Sequence, residues 1–235
     1  MNSFFKKLKI VSDIENLIFP NECYSCEKEL SRFENHLCSF CENDLPLTNF
    51  HLFDGESPTD KLFWGRVNIT NTYSHLFFEK NKTSQTILFN LKYKNKPELG
   101  VYFGEKIGEN IIKIKGLENI DAIIPVPLHH KKEFIRGYNQ SEVLAIGINN
   151  ILNKTLDLKT VQRTKHSASQ TKKSRFQRWD NVNEIFKVSE KIKHYKHIVI
   201  VDDVITTGST IESIIHAIRK KNPDILISVV TLAVA

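Results

Sequence analysis

Ile198-Val199-Ile200-Val201-Asp202-Asp203-Val204-Ile205-Thr206-Thr207-Gly208-Ser209-Thr210 passes from β-branched residues through two acids into a Gly/Ser/Thr stretch. The apolar run reads as a short buried strand. Ile211, Ile214, Ile215 and Ile218 come next at helical spacing and predict one apolar stripe on a helix. A strand ending in two carboxylates delivers them to the carboxyl edge of a sheet, where open α/β sheets place their ligands. The loop after it offers backbone N–H groups and hydroxyls at a helix N-terminus, a favoured place for a phosphate. Diol hydroxyls on the carboxylates and phosphate on the loop would suit a sugar phosphate. The plainer alternative is that the acids end a strand and Thr206 to Thr210 cap a helix, although neighbouring acids repel and a cap needs only one side chain. Neither a Walker A pattern nor GxGxxG occurs, which disfavours an ATPase or a dinucleotide enzyme.

Working outward, Asp121 to Val126 reads as another short strand, and Ser141 to Leu152 as a helix with apolar residues at 144, 148, 151 and 152. Leu156 to Val161, His197 to Val201 and Ile225 to Val234 read as further strands. Strands alternating with helices predict an α/β fold, a parallel sheet covered on both faces. Ahead of this, residues 66 to 78 are rich in β-branched and aromatic residues and predict a strand. Helices are expected near Thr83 to Tyr93 and, beyond Pro97, near Leu99 to Ile114. Asp54-Gly55-Glu56-Ser57-Pro58 marks a boundary between residues 1–55 and 56–235.

All four cysteines lie before that boundary, as Cys23-Tyr24-Ser25-Cys26 and Cys38-Ser39-Phe40-Cys41. Two CxxC knuckles supply four soft ligands for a tetrahedral, structural Zn²⁺ with no open position for water. Paired disulfides are the alternative, which a reducing compartment disfavours. A segment this short has little apolar material of its own, and metal binding can add about 10 to 16 kcal/mol to such a module. Its acids Glu22, Glu27, Glu29, Glu34, Glu42 and Asp44 argue against direct phosphate binding there.

The chain has 235 residues and a formal charge of +6, enough for one α/β domain and an appendage. Its first fifty residues hold five basic and eight acidic side chains, so the positive surplus belongs to the larger part. No apolar run approaches the roughly 18 residues of a membrane span. Lys9, Ser12, Asp13 and Glu15 interrupt the N-terminus where a signal peptide would be apolar. The expectation is a cytoplasmic protein without an integral membrane segment.

Residues 159 to 178 hold seven basic side chains and no acid, among them Lys172, Lys173, Arg175 and Arg178. Three readings stand: a solvated surface loop, a lid that closes over an anionic leaving group, or a track for a nucleic-acid backbone with Phe176 and Trp179 as stacking platforms.

Val201 to Thr210 resembles the signature of the type I phosphoribosyltransferases, which bind phosphoribosyl pyrophosphate (PRPP) with Mg²⁺. Further segments narrow the resemblance to the ComF family, the competence-associated, amidophosphoribosyltransferase-like branch: the CxxC pair after Phe19-Pro20, Leu91-Lys92-Tyr93-Lys94, Pro125-Val126-Pro127-Leu128, Arg136-Gly137-Tyr138-Asn139-Gln140, and Gln170 with Arg178, Asn181 and Phe186. The resemblance implies an N-terminal zinc ribbon ahead of a phosphoribosyltransferase-like domain, with a hood near residues 60–115 and a core near 119–235. It assigns the ribose hydroxyls to Asp202 and Asp203, and the 5′-phosphate to Thr206, Thr207, Gly208, Ser209 and Thr210. Pro127, Leu128, Arg136, Lys172, Lys173, Arg175 and Arg178 fall on the pyrophosphate side. It further implies a role in DNA uptake during natural transformation, with single-stranded DNA and a competence DNA-translocation helicase as partners. A metabolic phosphoribosyltransferase and a single-stranded nucleic-acid-binding protein with a vestigial loop are the alternatives. Thr206 stands where 6-oxopurine enzymes carry an acid, and the nine histidines form no catalytic constellation.

Overall fold

The computed structural model describes residues 21–53, 56–117, 119–164 and 185–235. The basic stretch with Lys172, Lys173, Arg175 and Arg178, together with Gln170, Phe176, Trp179 and Asn181, lies outside the described residues, as do Phe19 and Pro20.

Five parallel strands form the central sheet in the order β1 (Thr72–Phe77), β7 (Leu226–Val234), β6 (His197–Ile205), β2 (Ala122–Pro125) and β3 (Thr155–Leu156). Alternation along the strands sends Ile123, Val199 and Val201 to one face, Ile124, Ile198 and Ile200 to the other. Helices α2 (Thr83–Tyr93), α3 (Pro97–Ile111) and α5 (Gln140–Leu152) pack on the first face, while α6 (Ser209–Arg219) covers the second. Burial of side chains such as Leu91, Phe103 and Ile215 stabilises this layering by about 1.5 to 3 kcal/mol each.

Helices α3 and α5 approach closely through glycines. A Cβ on Gly104 would lie 2.3 Å from the Leu144 carbonyl oxygen, and one on Gly147 would lie 2.1 Å from that of Val101.

Three expectations change. The strand expected at 66–78 begins only at Thr72; Arg66–Asn71 instead runs beside α6, where Arg219 Nη2 donates to the Asn68 carbonyl at 2.7 Å. Leu156–Val161 is divided because buried Asp157 accepts from the Lys159 and Thr160 amides and from the Thr160 and Tyr195 hydroxyls, turning the chain. After this turn comes β4 (Val161–Arg163), paired antiparallel with β5 (Phe186–Val188) outside the main sheet. Strand β6 continues past Val201 to Ile205, so the two acids sit on the strand itself, with Asp202 in register with Thr231.

The cysteine segment is not isolated. Cys23, Leu37 and Cys41 join the same apolar core as Leu88, Leu91 and Leu99. The Tyr24 hydroxyl donates to Glu98 at 2.6 Å, and the Thr83 hydroxyl donates to Asp44 at 2.6 Å. Glu42, in the short helix α1 (Ser39–Asn43), accepts from the Tyr102 hydroxyl at 2.7 Å and pairs with Lys106. Part of the acidic flank is therefore spent on docking. No helix among the described residues is long and apolar enough to cross a membrane.

Candidate functional site

Strand β6 places Asp202 and Asp203 side by side, both half-buried. Asp202 Oδ1 accepts from the Ser141 hydroxyl, in the first turn of α5, and from the Asp203 amide, each at 2.9 Å. Asp203 Oδ1 accepts from the Val204 amide at 2.6 Å, and Oδ2 lies 3.1 Å from Lys92 Nζ. Burial, reinforced by the Asp203 charge, pushes the Asp202 carboxyl up to about 7 despite the Ser141 bond.

Beyond the strand, Thr206, Thr207 and Ser209 are exposed and Gly208 is buried in the left-handed conformation, with φ +72°. Gly208 is the N-cap of α6, and no side chain caps that helix. Its first-turn N–H groups thus keep their capacity for an anion. Arg66 braces the loop from outside: Nη1 donates to the Thr207 carbonyl at 2.6 Å and to that of Leu62 at 2.8 Å, while Nη2 pairs with Glu212.

The Pro125-Val126-Pro127-Leu128 segment leaves β2 beside this pair, fastened by the Val126 amide to the Val201 carbonyl at 2.8 Å. Asn139 ties it to α5, donating to the Val126 carbonyl at 3.0 Å and capping the helix through the Ser141 amide at 3.1 Å. Arg136, at the end of α4 (His130–Arg136), donates to Gln140 at 2.5 Å and lies over the Tyr93 ring. The carboxyl edge therefore carries Asp202, Asp203 and Thr206 to Thr210, with the exit of β2 ahead of Pro127 and Leu128 fastened beside Val201, while Arg136 is held by Gln140 and the Tyr93 ring. A cavity of about 680 Å³ lies elsewhere, among Phe53, Trp64, Asn71 and Lys113, and none of these site residues lines it.

The four cysteine sulfurs lie within 4.8 Å of one another, and Cys26 Sγ and Cys38 Sγ are 3.7 Å apart. Thiolates on one tetrahedral Zn²⁺ are about 3.8 Å apart, so the set fits a metal ion such as zinc. None of the four is in a disulfide. Burial alone would raise the Cys23 thiol, but N–H donors from Cys26, Cys38 and Ser25 outweigh it and bring it down to about 7; burial holds Cys41 up at about 12.

In the sequence, Lys92 stands within a family-like segment but shows no task, and neither Arg66 nor Ser141 stands out as a site residue. Each acts across a long stretch of chain, 61 residues for Ser141 and Asp202, so no local pattern announces it.

Residues 139–235 match the family model described as "Phosphoribosyl transferase domain". With the parallel sheet, the match defines a type I phosphoribosyltransferase-like fold. The chain is 27% identical over 213 residues to the DNA utilization protein YhgH of Escherichia coli K12, covering 84% of this chain and 90% of that protein. It is 28% identical over 206 residues to Competence protein F of Haemophilus influenzae, covering 84% of each. Against Competence protein ComFC of Bacillus subtilis it is 23% identical over 228 residues, 92% of this chain and 86% of the other. These similarities, spread over most of the chain, support the resemblance to the ComF family.

Proposed function

We propose that this chain binds PRPP with Mg²⁺ at the carboxyl edge of its sheet and acts, as a ComF-type protein, in DNA uptake during natural competence. The observation that carries the reading is the pairing of Asp202 and Asp203 with the uncapped N-terminus of α6. In this reading the carboxylates accept the ribose 2′ and 3′ hydroxyls, and Thr206, Thr207, Gly208, Ser209 and Thr210 take the 5′-phosphate. Pro127, Leu128 and Arg136 face the pyrophosphate, together with Lys172, Lys173, Arg175 and Arg178 from outside the described residues. The competence role rests on the names of the relatives, single-stranded DNA and a DNA-translocation helicase are the partners that role would bring, and a cytoplasmic location is the reading of the interrupted N-terminus. The cysteines would hold a structural Zn²⁺.

When bound, Mg²⁺ neutralises charge on pyrophosphate. Turnover would form a bond from an acceptor nitrogen to ribose C1 and break the bond from C1 to pyrophosphate oxygen, whose electron pair departs with the leaving group. Thr206 is exposed and carries no acid for a purine proton, which favours a binding module over purine salvage.

Calorimetry with PRPP and Mg²⁺ tests the core of the reading: wild type should bind, and an Asp202→Asn/Asp203→Asn variant should lose the signal. Equal affinity in both overturns it. A screen of nucleobase and amine acceptors for pyrophosphate release separates a metabolic transferase from a ligand-gated module. PRPP binding measured with and without single-stranded DNA reveals any coupling, which must be reciprocal.

A further inference from the structure

We propose that Lys92, reaching from the last turn of α2, is the built-in counter-cation of the Asp202–Asp203 pair and keeps both carboxylates available as acceptors for a ribose diol. The proposal rests on the sugar-phosphate reading above and gives Lys92 a positioning role in it.

A diol donates two hydrogen bonds, and an ionised carboxylate only accepts; a carboxyl that holds a proton keeps its carbonyl oxygen as acceptor but turns the other oxygen into a donor, which weakens its grip on a diol. Adjacent acids on one strand tend toward that state, because like charges at short range favour retention of a proton. The surroundings offer little relief. Asp202 meets a neutral hydroxyl from Ser141 on α5, its register partner on β7 is Thr231, and the neighbouring exit of β2 is Pro125 and Val126. Lys92 of α2 is the ammonium that reaches the pair among the described residues, 3.1 Å from Asp203 Oδ2, with its side chain 22% exposed.

The lysine is aimed, because the end of its helix is fixed at successive residues. The Asn90 side-chain Nδ2 donates to the Tyr24 carbonyl, between Cys23 and Cys26. The Leu91 carbonyl accepts from the Tyr138 hydroxyl, and Arg136 lies over the Tyr93 ring. A freely waving surface lysine would have none of these restraints. Lys92 leaves Asp202 Oδ2 without a partner among the described residues, so an acceptor remains open beside the neutralised one.

The test compares wild type, Lys92→Met and Lys92→Arg in the full chain, with zinc content and melting temperature confirming that each is folded. Carboxyl-carbon NMR of the ligand-free proteins should show the Asp202 midpoint moving up by about one unit or more in Lys92→Met and staying in place in Lys92→Arg. Calorimetry with PRPP and Mg²⁺ near neutral pH should show Lys92→Met binding about tenfold more weakly. That deficit should shrink as pH rises, because hydroxide then removes the proton that Lys92 no longer opposes. An unmoved Asp202 midpoint, or Lys92→Met binding as tightly as wild type, overturns the proposal. If wild type itself binds no PRPP, the sugar-phosphate reading fails, while the ligand-free titration still decides the role of Lys92.

Discussion

The Phe63 ring lies directly against Gly208: a Cβ there would come within 2.9 Å of Phe63 Cε1 and 3.1 Å of Cζ. The loop of Thr206 to Thr210 is thus seated on a ring that is itself 1% exposed, and its conformation depends on a position that only glycine fits without strain.

Gly208→Ala should therefore cost about 1 to 2 kcal/mol from the left-handed backbone alone, with the Phe63 clash in addition. Urea unfolding should show the lower midpoint. Calorimetry should show PRPP affinity falling further than this loss predicts, because the loop shifts from the N-terminus of α6.

Arg66→Ala removes two backbone contacts and an ion pair whose side chains are 34% and 26% exposed. Exposed pairs are worth about 0 to 1 kcal/mol, so melting should move little. A several-fold weaker PRPP complex with nearly unchanged melting is the expected pattern, since the Thr207 carbonyl loses its brace.

Cys23→Ser or Cys41→Ser should release the bound metal, measured as zinc per chain. The buried sulfurs share a core with α2 and α3, so amide exchange should quicken around Asn90 and Tyr102 as well as in the knuckles. Exchange confined to residues 21–45 would show instead that the module is an independent ornament.

The raised Asp202 carboxyl fixes a sign. Its folded value, about 7, lies above its unfolded one, so the folded state holds the extra proton and stability declines as pH rises from the ordinary carboxylate range through about 7. Asp202→Asn should flatten that decline in urea unfolding measured across the interval. PRPP affinity in wild type should run the other way and rise through the same interval, because the diol is accepted by the ionised form.

Much of this was legible in residues 198–218 and in the paired CxxC motifs. In both places, local spacing carries the physics: a run of β-branched residues, a period-matched isoleucine stripe, two thiols per knuckle. The sequence misled where a local pattern was overridden by a distant partner. Asp157 sits in a stretch that alternates like a strand, yet its carboxylate gathers two amides, two hydroxyls and the Lys191 ammonium and turns the chain. Glu42 and Asp44 read as part of an acidic flank unsuited to phosphate, but each engages a hydroxyl on a helix far along the chain. Arg66, Lys92 and Ser141 were illegible as site residues for the same reason, since their meaning depends on which elements the fold makes adjacent.

The glycine seam between α3 and α5 bears on how mutational maps of this chain should be interpreted. Helix α3 carries Tyr102 and Lys106, which hold the cysteine module, and α5 carries Ser141, which holds Asp202. Even a single added methyl at Gly104 or Gly147 would collide with backbone and pry the two holders apart. A comprehensive substitution screen should therefore find a band of intolerance at these positions as severe as at the acids themselves, although neither glycine belongs to the proposed site.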